Sequence, residues 1–438
     1  MTDTPPRAED GRAFGFETRQ LHAGQRPDPN TGARAVPIFQ TTSYVFEDPE
    51  SAAAYFNLQE YGNTYSRIMN PTVAVLEERV ANLEGGCGAV AFASGIAAQA
   101  AALFTLLEPG DHVVSSTALY GGTVNQLKHL LRKMSVELTW VDPGDPDAWR
   151  KAVRPTTKAF FAETIGNPAG NVLDIAAVAD VAHEHGLPLV VDNTFATPYL
   201  CRPIEWGADI VVHSATKFLG GHGTSIGGVV VEAGTFDWSN GRFPVVADPS
   251  PAYHGLKFHE TFGTYGYLMK LRAETLRDLG AALSPFNAFL LLQGLETLSL
   301  RMERHVTNAR TVAEFLRGHD QASRVTYAGL PGSEYRPLVE KYLPRGAGAV
   351  FSFDCAGGRD GGQEFIKGVT LWSHLANVGD AKSLVIHPAS TTHRQLSDDE
   401  LAAAGVSPGT VRLSVGLESA DDLLWDLEQG FANARAVA

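Results

Sequence analysis

The chain has little of what several functional classes require. Cysteine occurs three times in 438 residues, at Cys87, Cys201 and Cys355. These are far apart, odd in number and never in a CxxC pair, which argues against a disulfide framework or a structural zinc site and suits a reducing cytoplasm. Each reads as a small packed apolar residue. Charged residues make up only 19%, the formal net charge is -14, and no lysine- or arginine-rich run stands out against it. Nucleic acid and membrane surfaces are therefore not expected as partners. No apolar run is long enough to span a bilayer. Met1 to Arg12 has no apolar core of the secretory kind and reads as a disordered lead-in. Also missing is a GxGxxG that opens a first βαβ unit with an acidic residue at the expected distance. That absence weighs against a nucleotide-binding dehydrogenase, or a non-catalytic α/β protein that holds phosphate with glycine loops.

What is present is an ordinary globular hydrophobic content of 44%, in a chain longer than one core usually serves, so two packed domains are expected. Residues 1–65, dense in Gly, Pro and Asn, read as an extended N-terminal arm. Over 66–285, short apolar runs alternate with helical patterns, the signature of an α/β fold with a largely parallel sheet. Ala89–Ala93, a strand beginning at His112, Thr157–Glu163, Leu187–Val191 and Ile210–His213 are its strands; Ile96–Leu107 and Asp174–Gly186 are helices. Continuous apolar strands imply helices on both faces. His183 and His185, two apart on a helix, point away from each other and are expected at the surface rather than on a metal. Residues 286–438 change texture. One long helix to Leu316 precedes strands Ala349–Asp354, Ser383–Ile386 and Val411–Val415, a smaller C-terminal α+β domain.

Three local features carry chemistry. Leu187 to Val191 ends in Asp192, and ligands in open α/β sheets sit beyond the carboxyl ends of strands; the alternative is an Asp that merely caps the next segment. The strand Asp209–His213 runs into Ser214-Ala215-Thr216-Lys217 and a glycine loop, an unusual setting for a lysine. A desolvated lysine has a lowered pKa and becomes a nucleophile toward an aldehyde. Ala93-Ser94-Gly95-Ile96 is a strand–turn–helix junction whose free N–H groups suit a phosphate, although Ser94 could be no more than an N-cap. Ser214 and Thr216 add hydroxyls. An aldehyde, a phosphate and a ring nitrogen that wants a carboxylate describe pyridoxal 5′-phosphate, joined to Lys217 as an imine with Asp192 at the ring nitrogen.

Asp192-Asn193-Thr194-Phe195 followed by Ser214-Ala215-Thr216-Lys217 resembles the signature of the cysteine/methionine-metabolism family of fold-type I pyridoxal-phosphate enzymes, from about Thr18 to the C-terminus. The resemblance implies further roles. Thr194 joins the cofactor set with Ser94, Gly95, Ile96, Ser214 and Thr216. Tyr65 and Arg67 match a pair that reaches the cofactor phosphate from a neighbouring subunit, which implies a homo-oligomer, in this family usually a tetramer. Tyr120 matches a tyrosine stacked on the ring, and Asn167, before Pro168, an asparagine near the ring hydroxyl. Arg412 matches the arginine that clamps the substrate carboxylate; without the resemblance it reads as a solvated strand arginine. Ser383 joins it as a substrate residue.

Within the family, Gly122 stands where methionine γ-lyases carry cysteine, and Thr224 where cystathionine enzymes and γ-lyases typically carry aspartate. Asn377 to Pro388 and His22-Ala23-Gly24-Gln25 are similar to the branch that acts on O-acetylhomoserine. The implied reaction is O-acetyl-L-homoserine plus sulfide, or methanethiol, giving L-homocysteine, or methionine, and acetate. In it the released Lys217 is the general base at Cα, acetate leaves Cγ after proton loss from Cβ, sulfide adds, and the steps reverse. Tyr120 and Tyr65 are candidates to tune the proton transfers. The alternatives are a γ-lyase or cystathionine γ-synthase of the same family.

Overall fold

In a computed structural model of the chain, residues 12–167, 170–392, 394 and 405–435 are described; nearly all of the N-terminal lead-in, and Pro168, lie outside them. The short apolar runs become strands β1 (Gly88–Phe92), β2 (His112–Ser116), β3 (Glu137–Val141), β4 (Thr157–Glu163), β5 (Leu189–Asp192), β6 (Ile210–His213) and β7 (Gly228–Glu232). They form one sheet in the order β1-β7-β6-β5-β4-β2-β3. Strand β7 is antiparallel to both neighbours, and the other pairs are parallel. The sequence reading reached neither β3 nor β7, although β7 contains the run Val229-Val230-Val231. The first mixes polar and apolar residues, and the second begins on the last glycine of a glycine-rich loop.

Consecutive residues face opposite sides of the sheet, and both sides are buried. Phe160, Val191 and Val211 pack into one apolar cluster, while Phe161, Val190 and Val212 pack into another, as a side-chain period of two requires. On one of these faces lies the helix Ile175–Glu184, with Ile175, Val178, Val181 and Ala182 buried and the Asp174 side chain capping it through Ala177 N–H. His183 is exposed, with Nε2 2.9 Å from the Asp209 carboxylate, whereas His185 is half-buried rather than at the surface.

Strands β8 (Ala322–Ser323), β9 (Val350–Cys355), β10 (Ser373–His374), β11 (Leu384–Ile386) and β12 (Thr410–Ser414) form a second sheet in the order β10-β11-β12-β9-β8. Its Phe351, Phe353 and Leu413 join the same apolar cluster as Val191 and Val211 of the large sheet. The core is therefore continuous between the two sheets.

Two expectations are corrected. The long helix after Phe286 is two helices, Pro285–Leu295 and Leu298–Gly318. The ladder breaks because the Gly294 carbonyl is taken by Thr297 N–H at 3.2 Å and by the Arg301 guanidinium at 2.7 Å. The arm is not wholly extended either. It holds helices Phe16–His22 and Pro49–Phe56, the second capped by Asp48 through Ser51 N–H with Pro49 at its first position, a start signal legible in the sequence. Among the described residues no helix is long and apolar enough to cross a membrane.

Candidate active site

Strands β4, β5 and β6 run parallel, and β1 shares their direction because β1 and β6 are both antiparallel to β7. Their carboxyl ends therefore meet at one edge, which delivers Glu163, Asp192, the Ser214–Lys217 segment and Ser94 to the same place. A cavity of about 230 Å³ lies there, lined by these residues together with Tyr120, Asn167, Thr194, Asn377 and Arg412. This is where ligands bind in open α/β sheets.

One side of the cavity is built for an anion. Ser94 caps the helix Gly95–Phe104, its Oγ accepting from Ala97 N–H at 3.1 Å. A Cβ on Gly95 would lie 2.5 Å from Ser214 Cβ, so only glycine lets the helix start approach the lysine segment so closely. Opposite, Ser214 N–H donates to Thr194 Oγ1 at 2.8 Å, and Thr216 Oγ1 exchanges hydrogen bonds with Gly227 N and O at 3.1 and 3.2 Å. N–H groups at a helix start beside hydroxyls form a phosphate seat.

The other side holds the titrating groups. Burial, reinforced by Arg412, lowers the Lys217 amine to about 8, and its Nζ donates to Asn377 Oδ1. Burial raises the Asp192 carboxyl, against Thr194 N–H, which donates to it at 2.9 Å, and against His213. Among the described residues no lysine or arginine pairs with it. Arg412, lowered to about 10 by burial, projects from β12 toward Asn167 Oδ1 and Asn377 O, each 3.4 Å away. Its remaining donors leave it able to receive a carboxylate.

Among the lining residues that escaped the sequence reading, Glu163 and Asn377 lie against the titrating groups. Glu163 is the register partner of Asp192 on the neighbouring strand. Burial, then the nearby Asp192, pushes its carboxyl well up, while Oε1 accepts from Tyr120 N–H at 2.7 Å. Its signal was present, a carboxylate ending an apolar strand, as at Asp192. Asn377 opens the Asn377 to Pro388 motif, which gave it no role. No periodicity marks it, because it sits in the loop between β10 and β11.

Three expected site residues lie elsewhere within the chain. Tyr65 and Arg67 line a separate cavity of about 430 Å³, with the Arg67 guanidinium 5.3 Å from the exposed Tyr65 ring. Ser383 is fully buried, donates to Glu418 Oε2 at 2.9 Å and accepts from Gly416 N–H at 2.8 Å. Its hydroxyl is committed to the turn after β12, which removes it from the substrate set. A third cavity, about 470 Å³ beside Asn171, Arg324 and Tyr335, is larger than the site but has no lysine among its lining. Chemistry rather than size selects the site. Among the described residues no group of three or more His, Cys, Asp or Glu side chains could hold a metal ion.

The residues present fit pyridoxal 5′-phosphate: an amine with lowered pKa, a buried carboxylate that no lysine or arginine among the described residues pairs with, and a phosphate seat surround one cavity. Residues 17–432 match the model of a family described as Cys/Met metabolism PLP-dependent enzymes. The chain is 54% identical over 431 residues to the O-acetyl-L-homoserine sulfhydrylase of Leptospira meyeri, covering 96% of this chain and 98% of that one. It is 51% identical to O-acetyl-L-homoserine sulfhydrylase 1 of Thermus thermophilus, covering 95% and 100%, and 51% identical to the homocysteine synthase of Schizosaccharomyces pombe, covering 94% and 97%. A Campylobacter jejuni crystal structure described as an O-acetylhomoserine (thiol)-lyase superposes with a TM-score of 0.92 at 41% identity, covering 96% of this chain and 100% of that one; it contains N′-pyridoxyl-lysine-5′-monophosphate.

Proposed function

The chain belongs to the Cys/Met metabolism PLP-dependent enzymes, and from that premise we propose that it replaces the acetoxy group of O-acetyl-L-homoserine with sulfide, giving L-homocysteine and acetate. The observation that carries this reading is near-full-length identity of about half to relatives with that activity in their names, joined to a cavity whose groups suit the chemistry. Bound pyridoxal phosphate supplies an aldehyde for Lys217 and an electron-accepting ring that stores charge drawn from the substrate.

Each residue then has a task. Ser94, Gly95, Ile96, Ser214 and Thr216 hold the phosphate, joined by the partner subunit's Tyr65 and Arg67. Asp192 keeps the ring nitrogen protonated, which sets a cation against its buried carboxylate. Tyr120 stacks on the ring, and Asn167 and Thr194 hold its edge. Arg412 binds the substrate carboxylate and so points Cα and Cγ toward the amine. Lys217, free once the substrate amine has taken its place, removes the Cα proton and returns a proton as the steps reverse. Tyr120 and the partner subunit's Tyr65 assist that transfer. Exposure of Tyr65 on the isolated chain supports an assembly in which it meets a second copy, and we take the assembly to be a tetramer. Free Cys87, Cys201 and Cys355 favour a cytoplasmic setting.

Incubating the purified protein with O-acetyl-L-homoserine, with and without sulfide, tests the reading. Homocysteine and acetate in equal amounts, dependent on sulfide, are expected. Release of 2-oxobutyrate and ammonia as the main products would identify a γ-lyase instead. Succinyl and phosphoryl esters, and methanethiol, define the remaining specificity in the same assay.

A further inference from the structure

The helix Leu298–Gly318 packs Leu298, Met302, Ala309, Val312 and Leu316 into the core. Besides Ser299, which is bonded to Gln20, that buried side carries Arg301, His305 and Asn308, spaced four and three apart and 5%, 0% and 0% exposed. Polar groups buried in an apolar face are costly unless bonded, and these three donate to backbone carbonyls rather than to one another. Arg301 Nη1 donates to Phe218 O at 2.7 Å, and Nη2 to Leu219 O at 3.1 Å. No carboxylate pairs with this cation among the described residues, and burial lowers it to about 10. A Cβ on Gly221, whose φ is +70, would lie 2.0 Å from Arg301 Nη1, so the loop after Lys217 sits directly on the guanidinium.

The next turns of the helix hold a different segment. His305 Nδ1 lies 2.6 Å from Val415 O, so it carries the proton of that bond. Asn308 Nδ2 donates to Gly416 O and Glu418 O, both at 2.9 Å. Val415 and Gly416 continue β12, the strand of Arg412. The Phe218 ring meets the His305 ring edge to face at 5.1 Å, where the two clamps adjoin.

We infer that this helix is a template with two separable clamps: Arg301 is a positioning residue for Lys217, and Asn308, with His305, a positioning residue for Arg412. A planar guanidinium suits the first task because its fixed fork reaches two consecutive carbonyls of a turn that have no ladder of their own. The two ends of the site, one that moves protons and one that binds the substrate carboxylate, are thereby referred to a single rigid element. The inference rests on the proposed roles of Lys217 and Arg412.

Separable clamps predict separable kinetics. Displacing the amine by a fraction of an ångström lowers the proton-transfer rate, so Arg301→Met reduces kcat about tenfold or more and leaves KM for O-acetylhomoserine within about twofold. Its apoprotein also captures pyridoxal phosphate more slowly by a similar factor. Asn308→Leu loosens the carboxylate clamp instead and raises KM about fivefold with kcat within about twofold. Arg301→Lys keeps the charge without the fork and gives the Arg301→Met split in milder form; it carries the test if Arg301→Met does not fold. Thermal unfolding of each variant removes the contribution of lost protein. Equal changes in kcat and KM at both positions, or unchanged kinetics and cofactor capture in folded Arg301 variants, would overturn the inference. If borohydride fixes no cofactor on Lys217 in the unaltered enzyme, the proposed function fails before these variants are compared.

Discussion

At the scale of single residues, burial produces the chemistry. An ordinary lysine at pH 7 is neutral in about one molecule in three thousand, and a pKa of about 8 raises that to about one in ten. Only the neutral amine attacks an aldehyde. Capture of pyridoxal phosphate by the apoprotein, followed by absorbance, is therefore expected to rise about tenfold between pH 6 and 7 and to level off above about pH 8. A rate that keeps climbing to pH 10 would mean that the pocket does not desolvate Lys217. Asp192 and Lys217 were legible in sequence because each ends an apolar strand or comes just after one. Glu163 ends β4 in the same way and was passed over, since no motif drew attention to it. Tyr65, Arg67, Tyr120, Asn167 and Arg412 came from resemblance, since nothing in spacing separates them from surface residues. Ser383 shows the limit of that route, its hydroxyl serving Glu418 and Gly416.

Elements were legible where one face or both faces are apolar. Predicted and observed ends of β9, β11 and β12 differ by at most a single residue, because alternation against a shared core fixes the register. The misses have different causes. Strand β3 lies at the sheet edge, pairs only with β2, and keeps Glu137 exposed and Leu138, Thr139 and Trp140 half-buried, so its pattern is diluted. Strand β7 held a legible run, Val229 to Val231, that was masked by the glycine-rich loop it opens from; only its reversed direction depends on connections that no local pattern encodes. The break at Glu296-Thr297 is a side-chain effect that apolar periodicity does not register: Arg301, seven residues beyond Gly294, competes for that helix carbonyl. The Asp48-Pro49 start of the second helix was available in sequence and was hidden by the glycine, proline and asparagine around it.

At the scale of the whole molecule, the site is shared between two sheets and, on our reading, between two subunits. Arg412 comes from β12 and Asp192 from β5, and one apolar cluster joins their sheets. The arm meanwhile exposes Val45, Phe56, Tyr61 and Tyr65. If Arg67 serves a neighbour's cofactor, mixing the inactive variants Lys217→Ala and Arg67→Ala, with subunit exchange, restores up to about a quarter of normal activity, because hybrid dimers contain one intact site. No recovery, with exchange verified, would place Arg67 outside the partner's site. The proposed chemistry turns on the attachment of the cofactor to one amine. Reducing the holoenzyme with borohydride, digesting it and weighing the peptides tests this most directly. A phosphopyridoxyl mass on Lys217 and none in Lys217→Ala is the expected result; the mass on another lysine, or a cofactor that washes away after reduction, would rule out Lys217 as the attachment site.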